Sequence, residues 1–453
     1  MQPSPPEQEK LATAPFRTLF RFASSHDLVL LWIGIIASIL TGFAQPAFVL
    51  LAGPLLDSFN PLDQGSSDAL AKIKQISLIW ALLGVGIFIV CYIYFAFLAI
   101  VSESVGLQFR VNYLRAILRQ EISWFDTADP QQLPSRLSRE CLAIQTASGE
   151  KFAQIVVSVS MSLAGFVIAF IIGWKYALVS LGAFPPILVA TFIMTKIMQS
   201  GFFQNMKAYA KCGAYAEQAL NAMRIVCAFG QEERETRNYQ NHLQSARTAG
   251  VRVFCRTAFG YALFTFVMIA CYCYSFYTGG LFVDNHLYNP QKGRDYSGGD
   301  VVACFLGILF GVFALGMGGP NIKAVTEGLV AAKLACEVID REPSIPLDDE
   351  RGQRITFRSE IAFQNVSFKY PSREDTVLKN VNISIEAGKT TAIVGPSGSG
   401  KSTIVQLIER FYDPLEGEVL VDGVPLKELN LRSFRSQVGY VGQERVLFNQ
   451  SIR

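Results

Sequence analysis

The stretch GPSGSGKST, residues 395–403, fits the pattern G-x-x-x-x-G-K-[ST] of the phosphate-binding P-loop. Glycines let the backbone curl closely around an anion, and successive N–H groups then form a nest for phosphate oxygens. A helix that begins near Lys401 would point its positive dipole end at the same charge. Lys401 can reach the β- and γ-phosphates, and the Ser402 hydroxyl can ligate Mg²⁺. We expect nucleotide contacts from Gly395, Pro396, Ser397, Gly398, Ser399, Gly400, Lys401, Ser402 and Thr403.

The flanks of this stretch decide between a P-loop and a Gly/Ser linker. Residues 391–394 read TAIV, a short β-branched segment that predicts a strand, and residues 404–408 read IVQLI with helical spacing. A P-loop lies between a strand and a helix, whereas a linker needs neither. The sequence therefore predicts a site for a nucleoside triphosphate and Mg²⁺.

The composition indicates an integral membrane protein with a soluble part. Of the 453 residues, 51% are hydrophobic and 17% are charged, against about 25% charged in soluble domains. The net charge of +3 argues against a nucleic-acid partner. The nine cysteines lie in apolar stretches or in loops that we place in the cytosol, so no disulfide framework is expected.

Six apolar runs predict six membrane-spanning helices. Each has roughly 19–26 residues, which is enough to cross a bilayer. They lie at about 28–51, 77–101, 153–173, 177–195, 258–283 and 301–319.

The basic residues predict how the spans are oriented. Loops 102–152 and 196–257 together hold fifteen Lys and Arg, whereas loops 52–76, 174–176 and 284–300 hold five. The basic loops are expected on the cytosolic side. Both termini and the P-loop would then be cytosolic, in a multi-pass protein of the plasma membrane or an endomembrane.

The two basic loops have helical periodicity and alternating charge, so we expect the membrane helices to continue into the cytosol as two hairpins. Turns are predicted at Glu121–Asp126 and around Ala208–Gly213. The predicted division is 1–27 (a cytosolic tail and an interfacial helix, or simply the polar start of span 1), 28–345 (the six-span domain), 346–358 (a linker) and 359–453 (a soluble α/β domain).

Four motifs in this order make the chain resemble an ATP-binding cassette exporter, most closely of the P-glycoprotein-like multidrug group. They are Ile122–Asp126, the stretch from Ala214 through Gly230, Phe368–Arg373, and the P-loop. The resemblance implies a multi-pass α-helical membrane domain of the six-helix exporter type, followed by an incomplete α/β P-loop nucleotide-binding domain.

The resemblance also implies roles for single residues. Tyr370 matches the aromatic residue that stacks on adenine, although it could be a tyrosine at a strand end. Gln443 matches the glutamine that joins Mg²⁺ and the attacking water to the membrane helices, although a solvated loop glutamine is the alternative; Arg445 stands where the family usually has proline. Coupling of the hairpin turns to the nucleotide domains would involve Ser123, Trp124, Phe125, Tyr209 and Lys211.

Several family elements are missing from the sequence after the P-loop. We find no L-S-G-G-Q signature, no strand that ends in Asp-Glu, and no histidine there. Tyr296–Asp300 contains Ser-Gly-Gly and Val419–Gly423 contains a strand-like Asp, but both are predicted decoys, the second on a peripheral hairpin. With no catalytic base present, we expect the 453-residue chain not to hydrolyse ATP by itself.

The favoured function is ATP-driven export of hydrophobic or amphipathic compounds or lipids, by alternating access, with the chain as one half of a two-half exporter. Phe305, Phe310 and Phe313 would line the cargo cavity, unless these rings pack helices or face lipid. Three alternatives remain: a peptide exporter of the same fold, a non-transporting fragment that binds partner halves, and a membrane-tethered P-loop enzyme.

Overall fold

The computed structural model describes residues 13–58, 66–127, 130, 132–346, 352–356, 360–371, 373 and 375–442. Two compact units are present. The P-loop unit comprises Met1–Ser25, Val101–Ser148 and Ala324–Arg453, and the bundle unit comprises His26–Ile100 and Gly149–Lys323. The predicted boundaries at 27/28 and 345/346 divide the chain into consecutive segments. The P-loop unit, in contrast, also includes the hairpin between spans 2 and 3.

Helices account for most of the described residues. In chain order they are α1 (Ser25–Ser58), α2 (Ser66–Leu118), α3 (Ile122–Thr127), α4 (Leu133–Ser148), α5 (Glu150–Leu181), α6 (Phe184–Asn221), α7 (Met223–Ala228), α8 (Glu232–Asp284), α9 (Gly298–Ile339), α10 (Lys401–Ile408) and α11 (Leu431–Arg435). Two short 3-10 helices lie at Phe16–Phe20 and Leu426–Glu428.

The described strands form two antiparallel sheets. They are β1 (Tyr288–Asn289), β2 (Arg294–Asp295), β3 (Ile361–Phe368), β4 (Leu378–Ile385), β5 (Glu416–Val421) and β6 (Val424–Pro425). The larger sheet has the order β4-β3-β5-β6. Phe363, Val366 and Phe368 of β3 are buried in one core with Ile404 and Leu407 of α10, and an irregularity in the strand pairing between Phe363 and Val366 interrupts strict alternation.

The six predicted membrane spans are confirmed. Six long apolar helical segments are long enough to cross a membrane, and five of the six predicted apolar runs lie within one of them. The fourth, 177–195, begins in the last residues of the third segment and continues into Phe184–Asn221. Their exposed side chains are largely apolar, as on α2, where Leu82 and Phe88 are exposed. Such a surface is typical of helices that contact lipid or other membrane helices.

Close backbone packing joins α5 to α9 and α1 in the bundle unit. A Cβ at Gly165 would lie 2.5 Å from the Gly307 carbonyl oxygen and 2.9 Å from the Gly311 nitrogen of α9. A Cβ at Gly42 of α1 would lie 2.6 Å from the Ser160 Cβ of α5. Small residues at helix contacts let membrane helices gain dispersion energy that lipid would otherwise supply.

The turn predicted at Trp174–Tyr176 between spans 3 and 4 is wrong. Helix α5 is kinked at Gly173, where ψ is 91°, but it resumes and ends at Leu181. Tyr176 is buried and its hydroxyl donates to the Ser275 carbonyl at 2.8 Å, which keeps this segment inside the bundle. The connection is made instead at Gly182 and Ala183.

The turn predicted around Ala208–Gly213 is also wrong. Helix α6 runs without interruption through this stretch to Asn221. Several alanines there favour a helix, and one glycine costs only about 1 kcal/mol, too little to end it. The chain reverses through α7, which is followed by Gly230 at φ +60°. Tyr209 and Lys211 therefore lie within a helix and not at the hairpin tip.

Gly213 lies within α6 whereas Gly230 lies at the turn, and this placement predicts opposite effects when each glycine is replaced. Gly213→Ala should leave the thermal midpoint of the purified chain unchanged or raise it, because the site is helical and open. Gly230→Ala should lower the midpoint, because its backbone is left-handed. A larger loss for Gly213→Ala than for Gly230→Ala in a thermal-shift assay would contradict the placement of this turn.

The strand predicted at 391–394 is not formed. These residues have no strand pairing among the described part of the chain, and the Val394 side chain is 90% exposed. A strand requires a partner for its backbone groups. The predicted peripheral hairpin is confirmed, because Asp422 and Gly423, both at positive φ, turn β5 into β6.

The other predicted decoy, Tyr296–Asp300, leads into α9. The Asp57 carboxylate at the end of α1 accepts hydrogen bonds from the Ser297 hydroxyl at 2.9 Å and from the Gly299 N–H at 3.0 Å. This Ser-Gly-Gly sequence thus joins two helices of the bundle unit.

The N-terminal segment packs on protein within the P-loop unit. Leu19 is fully buried, and the Arg21 guanidinium makes two hydrogen bonds of 2.7 Å to the Asp340 carboxylate. A role at the membrane surface, predicted from Phe16, Leu19 and Phe20, stays a prediction.

Candidate nucleotide-binding site

The P-loop adopts the backbone that its glycines allow. Gly398 and Gly400 have φ values of +84° and +87°, and α10 begins directly afterwards at Lys401. The Lys401 ammonium donates to the carbonyls of Gly395 at 2.9 Å and Pro396 at 2.7 Å. The ammonium thus lies over the loop, where the oxygens of a bound phosphate could replace these carbonyls as its hydrogen-bond acceptors.

Tyr370 is attached to the helix that follows the P-loop. Its hydroxyl donates to Gln406 Oε1 at 2.6 Å and is 2.9 Å from Thr403 Oγ1. Thr403 and Gln406 are three residues apart on α10 and so share one face. The Tyr370 ring meets the ring of Tyr412 at 5.3 Å and 87°. The predicted base-stacking residue is therefore fixed relative to α10, the helix that begins at the end of the phosphate loop.

A cleft of about 610 Å³ brings most of the predicted nucleotide residues together. It is lined by Asp126, Tyr370, Arg373, Val377, Ser397, Gly398, Gly400, Lys401, Ser402, Thr403, Gln406 and Tyr412. Gly395, Pro396 and Ser399 shape the loop and are not among the lining residues. Gln443 lies outside the described residues.

Sequence reasoning did not assign five of the lining residues to this site. Gln406 could have been found from its spacing to Thr403 on one helical face. Asp126 could not, because its place depends on a contact between residues 286 positions apart. The five are Asp126, Arg373, Val377, Gln406 and Tyr412.

The short helix α3 contacts the P-loop domain next to this cleft. The Tyr412 hydroxyl donates to Asp126 Oδ2 at 2.7 Å. Burial and this carboxylate raise the pKa of Tyr412 above its usual value, so the hydroxyl stays protonated as a donor. The predicted turn at Glu121–Asp126 is thus a helix, with Ser123, Trp124 and Phe125 half-buried on it.

An ion pair anchors the residue before α3. Glu121 is buried, and its carboxylate accepts from the Arg341 guanidinium at 3.0 Å and from the Ser344 N–H at 3.3 Å. The Arg341 hydrogen bonds outweigh burial and lower the pKa of Glu121 from its usual 4.5 to about 2. Arg341 follows α9, so Glu121 ties the first hairpin to the segment that leads into the P-loop domain.

This ion pair predicts an acid-dependent stability. A carboxyl whose pKa is lower when folded stabilises fully above its ordinary pKa, and this contribution is lost as the pH falls towards the folded value. The parent chain should therefore unfold at a higher temperature than Glu121→Gln. This difference in thermal midpoint should be constant above about pH 5 and shrink from pH 4.5 towards 2.

Thermal unfolding across this pH range is the measurement. Glu342→Gln is the matched control, because Glu342 is exposed on the same segment. A parent–variant difference for Glu121→Gln that stays constant down to pH 2.5 would contradict the assignment.

The three predicted cargo residues have different surroundings on α9. Phe305 is buried and packs edge-on against Tyr272 at 5.2 Å, Phe310 is half-buried, and Phe313 is exposed. Phe305 thus packs helices together in this conformation, which is the alternative that the sequence left open. Their role in binding cargo stays a prediction.

The P-loop residues fit a bound nucleotide and Mg²⁺ in chemistry. The loop has the left-handed glycines of an anion nest, with Lys401 and the Ser402 hydroxyl at the start of α10. No cluster of three or more His, Cys, Asp or Glu able to hold a metal occurs in the part of the chain that the structure describes. Mg²⁺ typically binds to few protein groups together with substrate phosphates.

A family comparison agrees with this arrangement of spans and cleft. The model of the ABC transporter transmembrane region matches residues 31–313, more than half of the chain. The chain belongs to the ABC transporter family. The ABC transporter model for the nucleotide-binding part matches residues 378–453, so this ABC transporter chain carries the membrane region and an ATPase-family region in that order.

Curated ABC transporters resemble the chain over nearly its full length. ABC transporter B family member 2 of Dictyostelium discoideum is 36% identical over 97% of the chain, and B family member 21 of Arabidopsis thaliana is 36% identical over 98%. ABC multidrug transporter MDR1 of Cryptococcus neoformans is 34% identical over 98%. The ABC transporter chain spans about a third of these relatives, 32–34% of their lengths.

Proposed function

We propose that this ABC transporter chain supplies one half of an ATP-driven exporter. One observation carries the proposal: Asp126, from the segment between spans 2 and 3, lines the same cleft as Lys401 of the P-loop. A nucleotide in that cleft would therefore contact both the P-loop domain and the extension of two membrane helices.

In the proposed mechanism, ATP and Mg²⁺ bind to the P-loop, and a second nucleotide-binding half closes over them. Lys401 would neutralise phosphate charge, Ser402 and Gln443 would hold Mg²⁺, and Gln443 would also link the site to the membrane helices; the bound metal would supply charge stabilisation for phosphoryl transfer. Helix α3 would move with the P-loop domain, because Tyr412 of that domain bonds to Asp126 and because Glu121 pairs with Arg341 in the segment that leads into it. ATP binding then biases a two-state membrane bundle, and hydrolysis resets it.

The proposed cargo is hydrophobic or amphipathic, in the range of drug-like compounds and lipids. The six apolar helical segments carry few charges in their apolar windows, and aromatic side chains such as Phe266 and Phe313 are exposed on the bundle unit. Apolar binding sites are lined mainly by such side chains. The names of several relatives point the same way, because they describe multidrug transporters.

Transport in proteoliposomes tests the proposal. The chain would be co-reconstituted with a second ABC half, and ATP-dependent uptake of a lipophilic fluorescent dye, a fluorescent lipid and a labelled peptide would be compared. Uptake of the dye or the lipid that Lys401→Met abolishes is expected. Uptake of the peptide alone would favour a peptide exporter, and no uptake despite ATP binding would refute export.

The comparison with known families bears on one remaining alternative. A P-loop kinase tethered to a membrane would not explain the match to the ABC transporter transmembrane region. A role as a non-transporting partner of other halves would be indicated if the chain binds a second half and suppresses its transport.

A further inference from the structure

The Asp126 carboxylate is unusual among the cleft residues because one of its oxygens is engaged and the other is not. Oδ2 accepts the Tyr412 hydroxyl at 2.7 Å. In the described part of the chain, no hydrogen bond or ion pair reaches Oδ1, and Arg373, the other charged side chain at this end of the cleft, does not lie within 4 Å of it. Asp126 is an exposed residue that lines the cleft, and the Tyr412 hydroxyl fixes one of its two carboxylate oxygens.

Asp126 lies at the Tyr370 end of the cleft. It is bonded to Tyr412, whose ring contacts Tyr370, and Tyr370 is bonded to Gln406. Gln406 is five residues beyond Lys401, about 7.5 Å along the axis of α10. Because Lys401 marks the phosphate end, the base of a bound nucleotide would lie near Tyr370 and Asp126.

An ionised carboxylate only accepts hydrogen bonds. At position 6 of the purine ring, adenine presents an amino group, which donates, whereas guanine and hypoxanthine present a carbonyl oxygen, which accepts. A carboxylate beside this position favours the amino group and opposes the carbonyl. Stacking on Tyr370 cannot make this distinction, because every base has a π-face.

We propose that Asp126 is a specificity-determining residue whose Oδ1 accepts a hydrogen bond from the 6-amino group of adenine. The proposal deepens the proposed function and rests on it. It assigns the reading of the base to α3, a segment between two membrane spans, rather than to the P-loop domain. The position of α3 would then depend on which nucleotide is bound. Because such coupling is reciprocal, a change in the position of α3 would also change the affinity for ATP.

The test compares ATP with inosine triphosphate, whose base carries a carbonyl oxygen at position 6 and a proton on the neighbouring N1. The full chain in lipid nanodiscs would bind a fluorescent methylanthraniloyl-ATP, and each nucleotide would displace it. We expect the parent chain to prefer ATP about tenfold, the value of one charge-assisted hydrogen bond. Asp126→Asn should reduce the preference to within twofold, because an amide can accept from adenine or donate to hypoxanthine.

Two further variants separate base reading from a structural role. Asp375→Asn is the matched control, because Asp375 is an exposed carboxylate that does not line the cleft, and its preference should equal that of the parent chain. Tyr412→Phe removes only the hydroxyl that orients Asp126, so the preference should fall about threefold while the fold is kept.

A preference that stays within twofold of the parent value in both Asp126→Asn and Tyr412→Phe would overturn the proposal. So would a parent chain that binds ATP and inosine triphosphate equally. A parent chain that binds neither nucleotide would overturn the proposed function as well, which distinguishes the two failures.

Discussion

Replacing Lys401 with methionine should weaken ATP binding by about 100-fold. Methionine keeps the length of the side chain and removes the ammonium, which supplies the charge-assisted hydrogen bonds to the phosphates. About 2.7 kcal/mol corresponds to this factor. Displacement of a fluorescent ATP analogue from the chain in nanodiscs measures it.

Lys389→Met is the control for this substitution. Lys389 is also close to the P-loop in sequence, but it is exposed, pairs with Glu386 and does not line the cleft. Its ATP affinity should stay within twofold of the parent value. The thermal midpoint of Lys401→Met without nucleotide should also be followed, because Lys401 bonds two loop carbonyls. An affinity unchanged in Lys401→Met would disprove the placement of ATP in this cleft.

Replacing Gly165 with valine should prevent the bundle unit from packing. The new Cβ would lie 2.5 Å from the Gly307 carbonyl oxygen and 2.9 Å from the Gly311 nitrogen, and these backbone atoms cannot rotate away. Helices α5 and α9 would have to separate, at a cost of about 3 kcal/mol or more. The expected result is loss of the monodisperse peak in size-exclusion chromatography, or a thermal midpoint many degrees lower.

Gly84→Val on α2 is the matched control, because a Cβ there has no atom within 4 Å. It adds the same side chain to an apolar helix and should behave like the parent chain. If Gly84→Val is as damaging as Gly165→Val, then the loss arises from valine in a membrane helix and not from the contact with α9.

The apolar runs determined the six spans without help from tertiary contacts. A run of about 20 apolar residues is a local property, and burial in lipid rewards it wherever the neighbouring helices lie. For the same reason the P-loop could be located from GPSGSGKST and the helical spacing of residues 404–408, because both are local features of the sequence.

The turns between consecutive helices were predicted less well. Gly213 and the Trp174–Tyr176 segment look like breaks in sequence, yet both lie within helical segments. A single glycine or aromatic–basic group costs about 1 kcal/mol or less in a helix. Packing along the helix outweighs that amount, as the buried Tyr176 demonstrates.

By itself, the sequence determined that this protein has six apolar membrane helices followed by a phosphate-binding loop, since both signals are carried by neighbouring residues. Only the tertiary structure placed Asp126 beside Tyr412 and in the cleft with Lys401. That cleft joins residues from segments hundreds of positions apart, and no local spacing encodes such a contact. The physical reason is that folding brings the tip of a helical hairpin onto the P-loop domain. Burial of Tyr412 and Glu121 then stabilises one arrangement of these segments.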